Sequence, residues 1–274
     1  MNKHMNPIKL LKIEYLKFRD NLLVQLLLLF FTLLMAFWVF IMKTVDQFPV
    51  SIDTFFQFPT SWEYQAYFGS WYSFFFLGFL GIFIVTSEFD FKTLRQNVIT
   101  GYSRKEFFTA KILVAFSISL YAAIVYYLST FLIGLIYQDV FSMQEAFSHQ
   151  NYAFLRFFLL TFAYLSFGMM LALIFRKGTL ALFSYFAYIL IIEPFVLRWG
   201  IHNYFFEKSK SLLYYPMNAV EDLAPLPFFK YIATFKPVEN FNILLSYQEA
   251  SIISIISLCT FIVIAYLSLV KRDI

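Results

Sequence analysis

The sequence is poor in charge and in cysteine. Charged residues make up 14% of its 274 residues, against about 25% in an ordinary soluble domain, while hydrophobic residues reach 61%. The single cysteine, Cys259, cannot form a disulfide within this chain. The 39 phenylalanines are more than a soluble core of this size could bury. These features exclude a soluble enzyme, a disordered chain and a disulfide-linked secreted domain, and they indicate a polytopic membrane protein.

Motifs for nucleotide binding and hydrolysis are also lacking. The sequence has no G-x-x-x-x-G-K-[ST] loop, so we do not expect the chain to bind ATP by itself. Its three histidines, His4, His149 and His202, lie far apart and outside the apolar stretches, which disfavours intramembrane proteases of the zinc or serine type. We therefore expect no catalytic residue, no metal site and no bound cofactor. An enzyme is the least favoured hypothesis.

Six apolar stretches are long enough to cross a bilayer, since about 20 helical residues span its hydrocarbon core. They cover residues 22–42, 68–85, 112–137, 157–175, 179–197 and 252–270. Together they predict one all-α membrane domain over residues 1–274. The first stretch is interpreted as a signal anchor, because its apolar part is too long for a cleavable signal peptide.

Basic residues are distributed unevenly between the two sides of this topology. With the N-terminus inside, the inner segments carry 14 of the 21 basic residues and six of the 17 acidic ones. The positive-inside rule then places both termini in the cytoplasm. We expect a multi-pass membrane protein with both ends on the inner side.

Residues 6–20 are predicted to form an amphipathic helix on the membrane surface. Asn6 and Pro7 are typical of a helix start. Apolar residues recur at three- and four-residue steps, at Ile8, Leu11, Tyr15 and Phe18. Basic residues lie off this stripe and would face lipid headgroups. The alternative is a charged segment that only sets the orientation of the first span.

The inner loop over residues 86–111 has the pattern of a folded element rather than a linker. Its apolar side chains predict a short helix around Phe89–Val98, and Gly101 can end that helix in a left-handed conformation. Ser103 and Glu106 form a capping box at the start of the third span, which places Lys111 at the headgroups. A short amphipathic helix under the membrane is a docking element for another protein.

The residues of this loop resemble the first cytoplasmic loop of type-2 ATP-binding-cassette exporter permeases. The resemblance is carried by Glu88, Thr93, Leu94, Arg95, Gly101, Ser103, Arg104, Phe107 and Lys111. The layout is also similar: six spans, both ends inside, an amphipathic N-terminal helix and a long last outer loop. The motif covers about 25 residues, whereas the layout covers the whole chain.

The resemblance implies that residues 86–111 dock on a separate ATPase subunit. It assigns the coupling role to Glu88, Phe89, Phe91, Thr93, Leu94, Arg95, Gly101, Ser103, Arg104, Glu106 and Lys111. Two ATPase copies, which hold the ATP and magnesium, would act on this permease and a second copy or sister permease. Membrane lipid is an expected contact, and no nucleic acid is expected. The alternative is that these charges serve only as solvated topology signals.

Two features of the outer half remain open at this point. Glu193 lies near membrane depth and is followed by Pro194, which kinks a helix. It is interpreted either as a local ion pair or water-exposed interface residue, or as part of a substrate path. The loop over residues 198–250 predicts short interfacial or re-entrant helices, because its prolines forbid one long helix. Its aromatic residues could instead merely rest on the headgroups.

The most favoured function is an exporter permease that moves an amphipathic, lipidic or peptide-like substrate outward. The alternative is a non-transporting module that uses the same ATPase to transmit force or to assemble envelope machinery. An apolar cavity between two protomers favours transport, and a tightly packed seam favours force transmission.

Overall fold

The computed structural model describes residues 6–42, 55–91, 93, 103–138, 146–147, 152–206, 210–227 and 244–271. These residues form helices and turns, with no strand among them. Within the described ranges, five helical segments are long and apolar enough to cross a membrane, and a bent helix pair at the N-terminus raises the number to six. The chain is therefore an all-α polytopic membrane protein.

The N-terminal half begins with a short helix set across the first long one. Helix α1 covers Pro7–Phe18 and α2 covers Leu22–Met42, and the two bend by 96°. The next span consists of α3 (Thr60–Tyr72), a π-helical segment (Ser73–Leu77) and α4 (Gly78–Asp90). Helix α5 then covers Arg104–Tyr137. Asn6 caps α1 by accepting a hydrogen bond from the Ile8 N–H, as predicted.

The C-terminal half contains three further long segments. Helix α6 covers Ala153–Phe175, and α7 (Gly178–Ala187) continues into a π-helical segment over Tyr188–His202 and into α8 (Asn203–Phe206). A 3₁₀ turn (Lys210–Leu213) and the short helix α9 (Pro216–Glu221) follow. Helix α10 covers Tyr247–Val270 and starts with a capping box of Ser246 and Glu249 that we did not predict.

The core is built around α6, the most deeply buried of the spanning segments. Glycines bring α4 and α6 into close backbone contact. A Cβ on Gly81 would lie 2.6 Å from the Leu165 carbonyl oxygen, and a Cβ on Gly168 would lie 2.6 Å from that of Gly78. Small residues at helix contacts are typical of membrane bundles, where packing rather than the hydrophobic effect holds the helices together.

The observed helices extend beyond most of the predicted apolar stretches. The stretch over 22–42 coincides with α2, whereas the others lengthen to Thr60–Asp90, Arg104–Tyr137, Ala153–Phe175, Gly178–Phe206 and Tyr247–Val270. The added turns carry polar and aromatic residues, which hydropathy excludes from a span but which continue a helix without strain. In the 198–250 loop, α9 is a short helix of the predicted kind, while residues 207–209 and 228–243 lie outside the described part.

Candidate functional site

A buried cluster of four charged side chains joins the two ends of the 86–111 loop to α1. Glu88 lies in the last turn of α4, and Lys111 lies in the second turn of α5. Lys111 Nζ donates to Glu88 Oε1 at 2.7 Å. This ion pair therefore links the two helices between which the loop runs.

Helix α1 supplies the other two charges. Lys17 Nζ lies 2.9 Å from Glu14 Oε1 and 2.8 Å from Glu88 Oε1, and Lys111 Nζ lies 2.6 Å from Glu14 Oε2. The four side chains thus form a closed ring in which acids and bases alternate. Thr93 completes it by donating from its hydroxyl to Glu88 Oε2.

The cluster is withdrawn from solvent. Glu14 is 0% exposed, Lys111 1% and Glu88 3%, while Lys17 is 27% exposed at the edge. The Lys111 ammonium also lies 5.0 Å from the centre of the Phe18 ring and 5.1 Å from that of Phe107, where the negative face of a ring attracts a cation.

The balance of charge explains how this cluster can be buried. Two carboxylates and two ammonium groups cancel, and each of the four carboxylate oxygens accepts a hydrogen bond from the chain. Removing one member would leave a buried charge without compensation, which is far more costly than the net value of the intact pairs. The cluster therefore holds α1, α4 and α5 together.

The predicted position of Lys111 needs correction. We expected Lys111 at the lipid headgroups, but the acids of α1 and α4 draw its ammonium into the protein. In α1, Leu10 and Glu14 are buried, while Ile8 and Tyr15 of the apolar stripe are 76% and 60% exposed. Glu14 and Lys17 were missed as site residues, and the only signal was an isolated acid in a basic helix.

The capping residues of α5 are placed as predicted. Ser103 and Glu106 form the capping box, in which the Ser103 N–H donates to Glu106 Oε2 at 3.0 Å and the Glu106 N–H donates to Ser103 Oγ at 3.2 Å. Arg104 donates to the Val270 carbonyl at 2.8 Å, at the C-terminal end of α10. The base of the loop is thereby attached to the last helix as well.

The predicted coupling helix is only partly described. Its first residues continue α4, which ends at Asp90, with Phe89 half-buried and Phe91 72% exposed. The Arg176 guanidinium lies 5.5 Å from the centre of the Phe89 ring. Leu94, Arg95 and Gly101 lie outside the described residues, so their coupling roles stay predictions.

Glu193 lies in a second polar cluster, at the opposite end of the bundle. Its side chain is buried, and its two carboxylate oxygens accept hydrogen bonds from the N–H groups of Met217 (3.1 Å) and Asn218 (2.7 Å) in the first turn of α9. The expected water-exposed position is therefore wrong, and Glu193 makes no salt bridge among the described residues, since backbone donors take the place of a cation. The substrate-path role of Glu193 and Pro194 stays a prediction. Pro194 lies inside the π-helical segment, where its missing N–H interrupts regular α-helical bonding.

A comparison with known families assigns the chain. The family model described as ABC-2 family transporter protein matches residues 10–192, about two thirds of the sequence. The chain belongs to this family. None of the curated proteins searched matches the sequence.

Membership in the ABC-2 family identifies the general role of this chain. It is a multi-pass permease subunit of an ABC transporter, and such permeases partner with an ABC ATPase subunit. The matched range contains the whole charge cluster and the 86–111 loop, and it ends one residue before Glu193.

Proposed function

We propose that this permease belongs to an ATP-dependent exporter of a bacterial inner membrane, with both of its termini in the cytoplasm. Two copies of a separate ATPase bind ATP and Mg²⁺ and dock on the 86–111 loops of a permease pair, formed by two identical chains or by two sister chains. This chain binds no cofactor and carries out no chemistry. Its work is to move an amphipathic, lipidic or peptide-like substrate outward.

The observation that supports this proposal most strongly is the charge cluster at the base of the loop. Glu88 and Lys111 fix the two ends of the loop against each other, and Glu14 and Lys17 attach α1 to the same point. A force applied to the loop by a closing ATPase dimer therefore reaches α1, α4 and α5 together. Rigid-body displacement of packed helices is an established way to couple two sites.

The direction and substrate class rest on the sequence. The proposed orientation places the basic excess in the cytoplasm, where a soluble ATPase is available to dock. The spans are rich in phenylalanine and poor in charge, so a path through them favours substrates with apolar surface.

The docking role can be tested by co-purification with the cognate ATPase. Leu94→Asp places a charge on the apolar face of the predicted coupling helix. Arg95→Glu reverses the charge of an arginine that, by the family resemblance, would contact a carboxylate of the ATPase. Lys210→Glu is the control, because this half-exposed cation lies at the opposite end of the bundle, beside Glu249.

We expect the wild-type chain and the control to retain the ATPase and both loop variants to lose it. Retention of the ATPase in undiminished amount by both loop variants would contradict the docking assignment. The loop charges would then act as topology signals.

A further inference from the structure

The apolar stripe of α1 faces a groove rather than the interior of the bundle. The groove has a volume of about 630 Å³, within the range of small-molecule sites, and its walls come from α1, α2, α4 and α5. Ile8, Leu11 and Tyr15 form the α1 wall, and Val114 and Ile118 belong to the α5 wall. The 96° bend between α1 and α2 creates this space.

The shape of the groove suits an extended apolar chain. Its α5 wall extends from Val114 to Tyr121, about two helical turns, which corresponds to roughly 10 Å along the span at 1.5 Å per residue. The groove therefore continues from α1 along α5.

Three polar side chains in the walls already make hydrogen bonds within the protein. Tyr121 shares a hydrogen bond with Thr32, the Ser117 hydroxyl donates to the Leu113 carbonyl, and the Gln25 amide donates to the Arg19 carbonyl. A polar ligand would gain little from these groups, whereas an acyl chain needs no hydrogen bonds. The walls thus favour a lipid tail.

The charge at the mouth favours an anionic headgroup. Lys12 lines the groove, is exposed, and makes no salt bridge among the described residues. The lining acid, Glu14, is neutralised by Lys17 and Lys111, and the lining cation Arg19 is paired with Asp20 at 3.0 Å. Among the described residues that line the groove, Lys12 is therefore the cation that remains available to a phosphate.

We propose that this groove is a binding site for an anionic phospholipid of the leaflet next to α1. One acyl chain lies between the α1 stripe and the α5 wall, and the phosphate lies at Lys12. The site differs from general contact with the bilayer because it selects the headgroup and encloses the chain. It does not depend on the proposed transport direction or substrate.

The test uses the full chain in phosphatidylcholine nanodiscs that contain a phosphatidylglycerol probe with a diazirine in its acyl chain. After illumination, labelled peptides are quantified by mass spectrometry, and a phosphatidylcholine probe with the same diazirine is run in parallel. Ser117→Trp fills the groove, and Leu128→Trp places the same side chain at an exposed position of α5 outside the lining. Lys12→Gln removes the headgroup contact, and Lys105→Gln removes an exposed cation elsewhere in the same membrane-side region.

We expect the glycerol probe to label groove peptides about fivefold more than the choline probe, the preference that one lysine at a membrane surface provides. Ser117→Trp should abolish this labelling, Lys12→Gln should make the two probes equal, and both controls should behave as wild type. Unlabelled phosphatidylglycerol should also compete with the probe in the wild-type chain, a result that does not depend on how the variants fold.

Three outcomes would overturn the proposal. Equal labelling by the two probes would show that the groove contacts bilayer lipid without selecting an anionic headgroup. Labelling that survives Ser117→Trp would place the lipid elsewhere. Absence of groove labelling, while the exposed surface of α5 is labelled, would show that another part of the protein occupies the groove.

Discussion

The two ends of the bundle bury carboxylates in different ways. At the α1 end, Glu14 and Glu88 are matched by Lys17 and Lys111 in a ring of ion pairs. At the α9 end, Glu193 and Asp222 make no salt bridge among the described residues and accept hydrogen bonds from backbone N–H groups and from an amide.

This difference indicates different mechanical roles. Ion pairs between three helices resist separation of the helices strongly, because removing one charged group leaves its partners buried without a compensating charge. Hydrogen bonds to backbone N–H groups instead hold a short local segment, here α9 and the start of α10, against the core. The α1 end therefore joins three helices firmly, whereas the α9 end fastens a short segment against the core.

The substitution with the largest expected effect on stability lies at the α1 end. Lys111→Met removes one cation while keeping much of the aliphatic volume, so it leaves Glu14 and Glu88 with a single cationic partner, Lys17. The free energy of unfolding should fall by about 3–5 kcal/mol, the usual cost of breaking a buried pair. Thermal unfolding of the purified chain in detergent measures the loss.

Lys105→Met is the matched control for that variant. Lys105 is exposed in the first turn of α5, so its removal should change stability by less than about 0.5 kcal/mol. Equal effects of the two substitutions would show that the cluster is not a strong contact.

The α9 end should make the stability of the protein depend on pH. Burial raises the pKa of Asp222 from 3.8 to about 6, although the Leu245 N–H, Arg198 and the Asn218 amide oppose the shift. Because the folded-state pKa is higher, the folded protein binds this proton more tightly than the unfolded chain does. The contribution of Asp222 to stability is thus greatest below about pH 4 and is lost as the pH rises to about 6, by at most about 3 kcal/mol.

Asp222→Asn isolates this contribution, since asparagine keeps the shape and cannot ionise. The variant should match the wild type near pH 4 and become the more stable of the two above pH 6, when unfolding is followed across this range. A constant difference between the two proteins at all pH values would contradict a raised pKa.

A smaller, local effect is expected from Glu193→Ala. The substitution leaves the N–H groups of Met217 and Asn218 without their acceptor, at a cost of about 1–3 kcal/mol. Hydrogen exchange should increase in residues 216–222 and remain unchanged in α1. An increase in α1 as well would mean that the two ends are not independent.

The smallest effect is expected from Arg104→Gln. Arg104 donates to the Val270 carbonyl at the end of α10, and a contact of this kind contributes about 0.5–1.5 kcal/mol. The last turn of α10 should exchange faster, with little change in overall stability. Unchanged exchange there would show that solvent replaces the contact fully.

The sequence predicts the local features of this fold well. Asn6 at the start of α1 and the Ser103–Glu106 box at the start of α5 are confirmed, because helix capping depends on residues three positions apart or fewer. The six apolar stretches also correspond to helices, since hydropathy over about 20 residues is a local property.

The partners of charged residues could not be predicted in this way. Glu14 contacts Lys111, 97 residues away, and Glu88 contacts Lys17 across 71 residues. The packing of α1 against α4 and α5 brings them together, and the sequence periodicity of a single helix cannot predict that packing. For the same reason, the backbone partners of Glu193 in α9 were missed.

The central claim is that α1 and α5 move as one body when the ATPase closes. It is tested most directly by pulsed electron paramagnetic resonance between spin labels at Leu16→Cys in α1 and Leu120→Cys in α5, both exposed positions, in a Cys259→Ser background. The complex is measured without nucleotide and with trapped ATP, with Lys111→Gln as the test variant and Lys105→Gln as the control. With the cluster intact and in the control, we predict one narrow distribution of the distance between the labels, unchanged by nucleotide. In Lys111→Gln we predict that this distribution is broadened or shifted. A nucleotide-dependent change of this distance with the cluster intact would contradict the account.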